Sequence, residues 1–178
     1  MTNHSTALLV IDAQVGLFAN ASRPAETIAR IRILIDRARE RGVPIVYLQH
    51  DGDPGGRLAV GSAGWRVLPE LAPGPDDVVI RKRASDSFFE TALLDELRRR
   101  SVGTVVLAGM RTERCIDTTA RRSVTLGFDV VLAADAHTTG DGEALTARQI
   151  IDHTNENLDD FGTDHHAVTV RPVEAIAF

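Results

Sequence analysis

The stretch ALLVID, residues 7 to 12, is a run of apolar side chains that ends on a carboxylate. A short apolar run of this kind is typical of a β-strand that is buried on both faces, as in parallel sheets covered by helices. Five further short runs follow along the chain: PIVYLQ (44–49), VVIR (78–81), TVVLAG (104–109), DVVLAA (129–134) and AVTV (167–170). The sequence therefore predicts six buried strands.

Between these strands the apolar residues recur at helical spacing. Pro24 begins one such stretch, and Gly42 follows it at the position favoured after a helix C-terminus. The other predicted helices carry Leu93, Leu94 and Leu97, span 113–126, and span 146–161. Strands that alternate with helices indicate an α/β fold, a doubly wound six-stranded parallel sheet with helices on both faces. We expect a single domain over residues 1–178, with its core from about 7 to 170.

Two of these helices carry more specific expectations. Ser87 and Glu90 have the spacing of a capping box for the second helix, and Thr91 is the alternative cap. In the last helix the residues expected to face inward are Ile150, Ile151, Leu158 and Phe161.

The composition excludes several classes of protein. The chain has 178 residues and a net charge of −5, which argues against nucleic acid as its partner. Its single cysteine, Cys115, excludes an internal disulfide and a multi-thiolate metal cluster. The apolar run that ends at Asp12 is too short for a secretory signal or a membrane span, so we expect a cytoplasmic protein with no membrane partner.

Three chemically useful side chains follow three of the predicted strands. Asp12 ends the first strand, Lys82 follows the third, and Cys115 follows the fourth. Open parallel sheets bind ligands outside the carboxyl ends of their strands, so these side chains are expected to share one edge. A thiol, a carboxylate and a cation are the groups that acyl transfer through a thioester requires. Each also has an ordinary structural explanation: the aspartate as a turn residue, the lysine as a solvated cation, and the cysteine as part of the core.

Cys115 closes the turn GMRTERC, residues 109–115, between a strand and a helix. Backbone N–H groups in the first turn of a helix favour a thiolate, and the Lys82 ammonium would favour it further. The sequence therefore predicts a lowered pKa for the Cys115 thiol. The same N–H groups can stabilise an oxyanion that develops on a substrate carbonyl.

Four motifs together identify a family resemblance: DAQ (12–14), Lys82 with the segment 85–89, GMRTERCIDTTA (109–120), and DA (135–136). With them the chain resembles the isochorismatase-like cysteine hydrolases, a superfamily that includes nicotinamidases, N-carbamoylsarcosine amidases and isochorismatases. The resemblance extends from about Leu8 to Val170.

The resemblance implies a role for each matching residue. Cys115 would be the nucleophile, Asp12 the general base and acid, and Lys82 the cation that holds Asp12. A cis peptide bond is expected between Met110 and Arg111. The backbone N–H groups of Arg111 and Cys115 would form the oxyanion hole.

The sequence also departs from two branches of that superfamily. Nicotinamidases bind a metal through an Asp and several His after the second strand, whereas residues 49–56 read QHDGDPGG with no second histidine before Lys82. We therefore expect no metal and no cofactor. Isochorismatases that cleave a vinyl ether typically lack the cysteine, so Cys115 favours hydrolysis of an amide or related C–N bond. Vinyl-ether hydrolysis that relies on Asp12, and a non-catalytic ligand-binding or partner domain on the same scaffold, remain as alternatives.

Six residues are candidates for the wall of a substrate pocket: Gln14, Phe18, His50, Trp65, Phe88 and Arg111. Structural packing is the alternative explanation for the three aromatic residues. The Arg111 guanidinium either reaches into the pocket, where it could bind a carboxylate, or points away. The expected partners are a small-molecule substrate and further copies of the chain, since compact members of the superfamily commonly form homo-oligomers.

Overall fold

The computed structural model describes residues 5–178, and within them six strands form one sheet in which every neighbouring pair is parallel. The strands are β1 (Ser5–Ile11), β2 (Ile45–His50), β3 (Val78–Lys82), β4 (Val102–Met110), β5 (Asp129–Thr138) and β6 (Val168–Arg171). Their order across the sheet is β3-β2-β1-β4-β5-β6. This topology confirms the predicted doubly wound, six-stranded parallel α/β sheet.

Five α-helices connect the strands within the same residues. They are α1 (Val15–Phe18), α2 (Pro24–Glu40), α3 (Leu93–Arg99), α4 (Asp117–Thr125) and α5 (Ala147–Leu158). The predicted start of α2 at Pro24 is confirmed, and Gly42 follows the helix with a φ of 65°. None of the helices in this part of the chain has the length and hydropathy that a bilayer crossing requires.

The segment before α3 differs from the sequence-based expectation. The Ser87 hydroxyl accepts a hydrogen bond from the Thr119 hydroxyl at 2.9 Å, so it is occupied by a residue of α4. The Thr91 hydroxyl accepts the N–H of Leu93 at 3.3 Å. The predicted capping box of Ser87 and Glu90 is therefore wrong, because Ser87 joins this segment to α4 instead of beginning a helix.

The helix predicted over 113–126 is divided in two. Thr112–Ile116 forms a π-helical turn, and α4 begins only at Asp117. The carbonyl of Arg111 accepts hydrogen bonds from the N–H groups of Arg114 and Ile116, both at 3.1 Å. We refer to Thr112–Ile116 as the π-turn.

The last helix is also shorter than predicted, because it ends at Leu158. Thr146 caps its start in a reciprocal capping box with Gln149. Ile150 and Ile151, which were expected to face inward, are only half-buried. The buried residues of α5 are Ala147, Thr154 and Leu158.

Different helices cover the two faces of the sheet. Leu9 and Ile11 pack on one face with residues of α3, α4 and α5, whereas Leu8 and Val10 pack on the other face with residues of α2. Residues 7–11 are completely buried because β1 lies between β2 and β4. Burial of each large aliphatic side chain contributes about 2 kcal/mol. The run ALLVID is therefore the centre of the fold.

Strands β1 and β4 are neighbours at the point where the strand order reverses, and Gly109 of β4 lies tightly against Ile11 of β1. Gly109 has a φ of 127°, and a Cβ atom at this position would lie 2.0 Å from the carbonyl oxygen of Ile11. Only glycine fits such an approach. The contact places Asp12, the residue after Ile11, beside the chain that leaves β4.

Gly109→Ala should therefore lower the free energy of unfolding by more than about 3 kcal/mol, because the added methyl group collides with backbone. Gly42→Ala is the matched control, since its φ of 65° is also unfavourable for alanine but nothing lies within 4 Å of the new Cβ. That control should lose about 1 kcal/mol. Urea unfolding measures both values, and equal losses in the two variants would contradict the steric explanation.

Candidate active site

The structure brings Asp12 and Lys82 into direct contact at the carboxyl edge of the sheet. Lys82 Nζ donates a hydrogen bond to Asp12 Oδ2 at 2.8 Å and a second one to the carbonyl oxygen of Ala84 at 3.0 Å. The side chains of the pair are 0% and 1% exposed. Such a buried pair is stable only while both partners are present, and loss of one partner typically costs about 3–5 kcal/mol.

Asp12 leaves β1 in an unusual backbone conformation. Its φ is 49°, in the left-handed region that side-chain-bearing residues rarely adopt. This conformation turns the chain out of the sheet, and the Gln14 N–H then donates to the Asp12 carbonyl at 2.7 Å. Oδ1 of Asp12 is buried and makes no hydrogen bond of ordinary geometry with the described residues.

Cys115 is the neighbour of that carboxyl group. It lies in the π-turn after β4, is 9% exposed, and interacts closely enough with Asp12, Lys82 and Ser85 for each of them to influence its pKa. The structure thus groups all three residues expected from the sequence. Ser85 was not among those candidates, although its place three residues after Lys82 puts it at the same edge of the sheet.

The pKa of the Cys115 thiol is shifted upward, whereas the sequence predicts a downward shift. Burial, the largest cause, and the negative charge of Asp12 raise the pKa of Cys115 to about 11, while Lys82 and Ser85 act in the lowering direction. The predicted lowering is wrong because the Lys82 charge is already compensated by Asp12 and the sulfur has little contact with water. Cys115 is therefore a thiol at neutral pH.

Burial also raises the pKa of the Asp12 carboxyl above its ordinary range, against the lowering effects of the Lys82 charge and hydrogen bond. A carboxyl group with a raised pKa holds a proton more readily near neutral pH than an exposed aspartate does. This property suits a group that must accept and return a proton in one reaction cycle.

The backbone before Cys115 contains the cis peptide bond expected from the sequence. The peptide bond between Met110 and Arg111 is cis. The two hydrogen bonds that the Arg111 carbonyl accepts come from Arg114 and Ile116, on either side of Cys115. The Arg111 side chain is 29% exposed, with Nη1 4.0 Å from Glu113 Oε1.

Gln14 joins the ends of β1 and β2 to the chain at Trp65. Its Nε2 donates to the carbonyl oxygens of His50 at 3.0 Å and Trp65 at 2.8 Å, and its Oε1 accepts the N–H of His50 at 2.9 Å. Gln49 adds a hydrogen bond of 2.9 Å from its Nε2 to the same Trp65 carbonyl. All three of these hydrogen bonds of the Gln14 amide are therefore made to main-chain groups.

Trp65 is fixed by charged neighbours. Its indole N–H donates to Asp51 Oδ1 at 2.8 Å, and the guanidinium of Arg81 lies 5.2 Å from the ring centre. Arg81 also holds Asp51 through hydrogen bonds of 2.8 and 3.0 Å. The carboxylate that follows β2 is thus already bound by two side chains, and within residues 5–178 no group of three or more acidic, His or Cys side chains is arranged to hold a metal ion.

His50 lies directly beside the ion pair. It pairs in register with Lys82, so the two side chains leave adjacent strands on the same face. Its Nδ1 is buried with no hydrogen-bond partner among the described residues, and burial lowers the pKa of the ring. His50 is therefore neutral near pH 7 and retains an unused polar atom.

The two phenylalanines expected in the pocket lie on different faces of the sheet. Phe88 belongs to the same hydrophobic cluster as Cys115 and stacks on Phe128 with ring centres 6.1 Å apart. Phe18 packs instead in the cluster that contains α2. The structure thus brings Phe88, but not Phe18, to the face that carries the thiol.

A groove of about 300 Å³ borders the ion pair. Its walls are Asp51, Arg81, Lys82, Arg83, Ala84, Phe89 and Glu90. A larger cleft, of about 380 Å³, lies between α2 and α5 beside the end of β5 and contains none of the three grouped residues. The smaller groove touches the ion pair through Lys82, and neither Asp12 nor Cys115 is among its walls.

Comparison with known proteins identifies the family of the chain. A family model described as the isochorismatase domain matches residues 6–157, which include Asp12, Lys82 and Cys115. The chain belongs to the isochorismatase family.

Its relatives include enzymes with named reactions. A streptothricin hydrolase of Streptomyces noursei is 38% identical over 138 residues, which are 76% of this chain and 50% of the relative. The chain thus spans about half the length of that protein. A ureidoacrylate amidohydrolase of Stutzerimonas stutzeri is 29% identical over 79% of this chain and 73% of its own length.

Solved structures of the isochorismatase family superpose on most of the chain. An isochorismatase from Pseudomonas putida has a TM-score of 0.89 at 28% identity and covers 96% of this chain and 89% of its own. A cysteine hydrolase from Pseudomonas syringae has a TM-score of 0.79 at 26% identity and covers 93% of this chain and 88% of its own.

Asp12→Asn should make Cys115 more reactive toward iodoacetamide. The substitution removes the charge that raises the pKa of the thiol and keeps Lys82, which lowers it, so the midpoint of alkylation should fall from about 11. Cys115 is the only cysteine, so mass spectrometry of the intact chain reports on this thiol alone. Asp77→Asn is the control, because Asp77 pairs with Arg39 at the opposite edge of the sheet. A midpoint that stays at or above the wild-type value would contradict the electrostatic explanation.

Gln14→Leu should destabilise the protein more than Gln49→Leu. Both side chains are buried, at 0% and 6% exposure, but Gln14 satisfies three partly buried backbone groups and Gln49 shares one of them. We expect losses of about 3 kcal/mol and about 1 kcal/mol in unfolding free energy. Urea titration of the two variants tests this difference. Equal losses of unfolding free energy would show that the additional hydrogen bonds of Gln14 do not stabilise the protein.

Proposed function

We propose that the protein is a cysteine hydrolase that splits a C–N bond of a small amide-like substrate through a thioester intermediate. The observation that carries this proposal is the buried carboxyl group of Asp12, paired with Lys82 and adjacent to the thiol of Cys115. The names of the streptothricin hydrolase, the ureidoacrylate amidohydrolase and the cysteine hydrolase among its relatives support the same class of reaction.

In the first step Asp12 accepts the proton of the Cys115 thiol while the sulfur attacks the substrate carbonyl carbon. A C–S bond forms, and the electron pair of the carbonyl moves to its oxygen. The N–H groups of Arg111 and Cys115 stabilise that oxyanion. Because the pKa of the thiol is raised, the thiolate forms only together with proton transfer to Asp12. Lys82 keeps Asp12 Oδ2 in place during this transfer.

In the second step the tetrahedral intermediate collapses. The C–N bond breaks, the leaving nitrogen takes the proton from Asp12, and ammonia or an amine departs. The acyl group stays on the sulfur as a thioester. In the third step Asp12 takes a proton from water, the resulting hydroxide attacks the thioester, and the C–S bond breaks to release the carboxylic acid. The proton on Asp12 then returns to the sulfur, so the cycle consumes one water and leaves the enzyme unchanged.

We propose that substrate approaches the reacting groups from the groove beside Lys82. With about 300 Å³ between Asp51, Arg83 and Phe89, it fits a small molecule. The neutral ring of His50 offers a polar atom beside the reacting groups. We propose that His50 hydrogen-bonds the substrate, and that Phe88 supports the apolar wall below the thiol.

An ammonia-release screen over amides, carbamoyl compounds and ureides tests the proposed function. For any substrate that the wild-type protein hydrolyses, Cys115→Ala and Asp12→Asn should each lower turnover by about 10³-fold or more, since each removes a group that takes part in bond making. Asp77→Asn should leave turnover unchanged. Hydroxylamine should trap the acyl group as a hydroxamate. Intact turnover in both site variants would refute the assignment.

One observation favours a second candidate function. Asp12 has a raised pKa, and a protonated carboxyl group can donate its proton to the carbon of a vinyl ether without help from a thiol. In that case Cys115→Ala would retain activity toward an isochorismate-type substrate and Asp12→Asn would lose it. A domain that only binds ligands would hydrolyse neither class of compound.

A further inference from the structure

His137 is a buried histidine that the proposed reaction does not use. It lies near the end of β5, is 2% exposed, and pairs in register with Gly109 of β4. Both ring nitrogens are engaged: Nδ1 lies 2.9 Å from Thr112 Oγ1, and Nε2 lies 2.9 Å from Asn155 Oδ1. A histidine bound on both sides at this depth holds other groups in place.

The contacts determine which ring nitrogen carries the proton. Asn155 donates from Nδ2 to the carbonyl oxygen of Ala134 at 3.1 Å, so its Oδ1 is the atom that faces His137. Nε2 of His137 must then be the donor to Oδ1, and Nδ1 of the neutral ring is an acceptor. It follows that the Thr112 hydroxyl donates its hydrogen to Nδ1.

Thr112 occupies a critical position in the chain. It is completely buried, it is the first residue of the π-turn, and it lies between Arg111 and Cys115, whose N–H groups are assigned to the oxyanion. Single π-helical turns are rare and occur frequently at functional sites, so a contact that holds the first residue of this turn bears directly on its geometry. His137 and Asn155 hold that residue from β5 and α5.

We propose that His137 is a positioning residue: its neutral ring, oriented by Asn155, binds the Thr112 hydroxyl and so sets the π-turn that presents the Cys115 sulfur and the oxyanion-binding N–H groups. The inference rests on the proposed function, because it gives this contact a role in the same reaction. His137 acts through Thr112 and does not itself meet the substrate.

The first test compares two buried threonines. Thr112→Val removes the hydroxyl that binds His137, and kcat should fall by about 10²-fold with little change in KM, because the reacting groups are misplaced while the groove is intact. Thr112→Ser keeps the hydroxyl and should restore most of kcat. Thr138→Val is the matched control, since Thr138 is as deeply buried and its hydroxyl donates to the Ser22 carbonyl at 2.7 Å. Equal kcat values for Thr112→Val and Thr138→Val would overturn the proposal.

The histidine itself is tested by a second pair of variants. His137→Asn places an acceptor oxygen near the position of Nδ1, whereas His137→Leu has similar bulk and no acceptor. The Asn variant should therefore retain more kcat than the Leu variant. The opposite order would overturn the proposal even if Thr112→Val failed to fold.

Two measurements need no substrate and separate this inference from the proposed function. Ring ¹⁵N spectra should show His137 with its proton on Nε2, and a proton on Nδ1 would overturn the proposal. In Thr112→Val the loosened turn should expose the sulfur to water, so the alkylation midpoint of Cys115 should fall, whereas Thr138→Val should match the wild type. If the wild-type protein hydrolyses no compound, the proposed function fails, and these two measurements still decide whether His137 positions the turn.

Discussion

The buried pair of Asp12 and Lys82 is the constraint on which the rest of the site depends. Two charges without access to water are tolerable only together, and here they come from strands separated by β2. The pair therefore fixes the carboxyl ends of three neighbouring strands relative to one another. The other oxygen of Asp12 has no hydrogen-bond partner among residues 5–178, and the Cys115 thiol is a neighbour of the same carboxyl group. One interaction thus links three strand ends and positions the carboxyl group that we propose as the acid–base group.

The same pair explains why the thiol is held in its protonated form. Lys82 cannot act on Cys115 as an uncompensated cation, because Asp12 lies against it. A buried, protonated sulfur is slow to react with oxidants, which attack the thiolate. In the reaction proposed above, nucleophilic reactivity develops only when a substrate is present to drive the proton toward Asp12. Under that proposal, the arrangement protects the single cysteine between turnovers.

The main elements of the fold were predictable because buried parallel strands have continuous apolar runs in the sequence. The three grouped residues of the site were predictable for the same reason. Asp12, Lys82 and Cys115 follow three such runs, and strand ends of one sheet share an edge. The π-turn was not predictable, since a pattern with a period of 3.6 residues does not register a five-residue irregularity at a helix start. The Ser87 contact depends on Thr119, 32 residues away, and the thiol pKa depends on the burial of Cys115 and on the charges of Asp12 and Lys82. The pattern of neighbouring residues in the sequence therefore predicts neither the Ser87 contact nor the pKa of the thiol.

The carbonyl of Trp65, held by Gln14 and Gln49, divides the long connection after β2 into two parts. From Gly64 to Leu68 the chain is hydrogen-bonded to residues 13–16, whereas most residues from 53 to 61 are exposed. Residues 53–56 are the exposed tip of this connection, whereas the Leu58 carbonyl accepts a hydrogen bond of 2.9 Å from the Gly52 N–H. Changes of sequence or length at that tip would therefore leave the ends of β1 and β2 and the buried ion pair undisturbed.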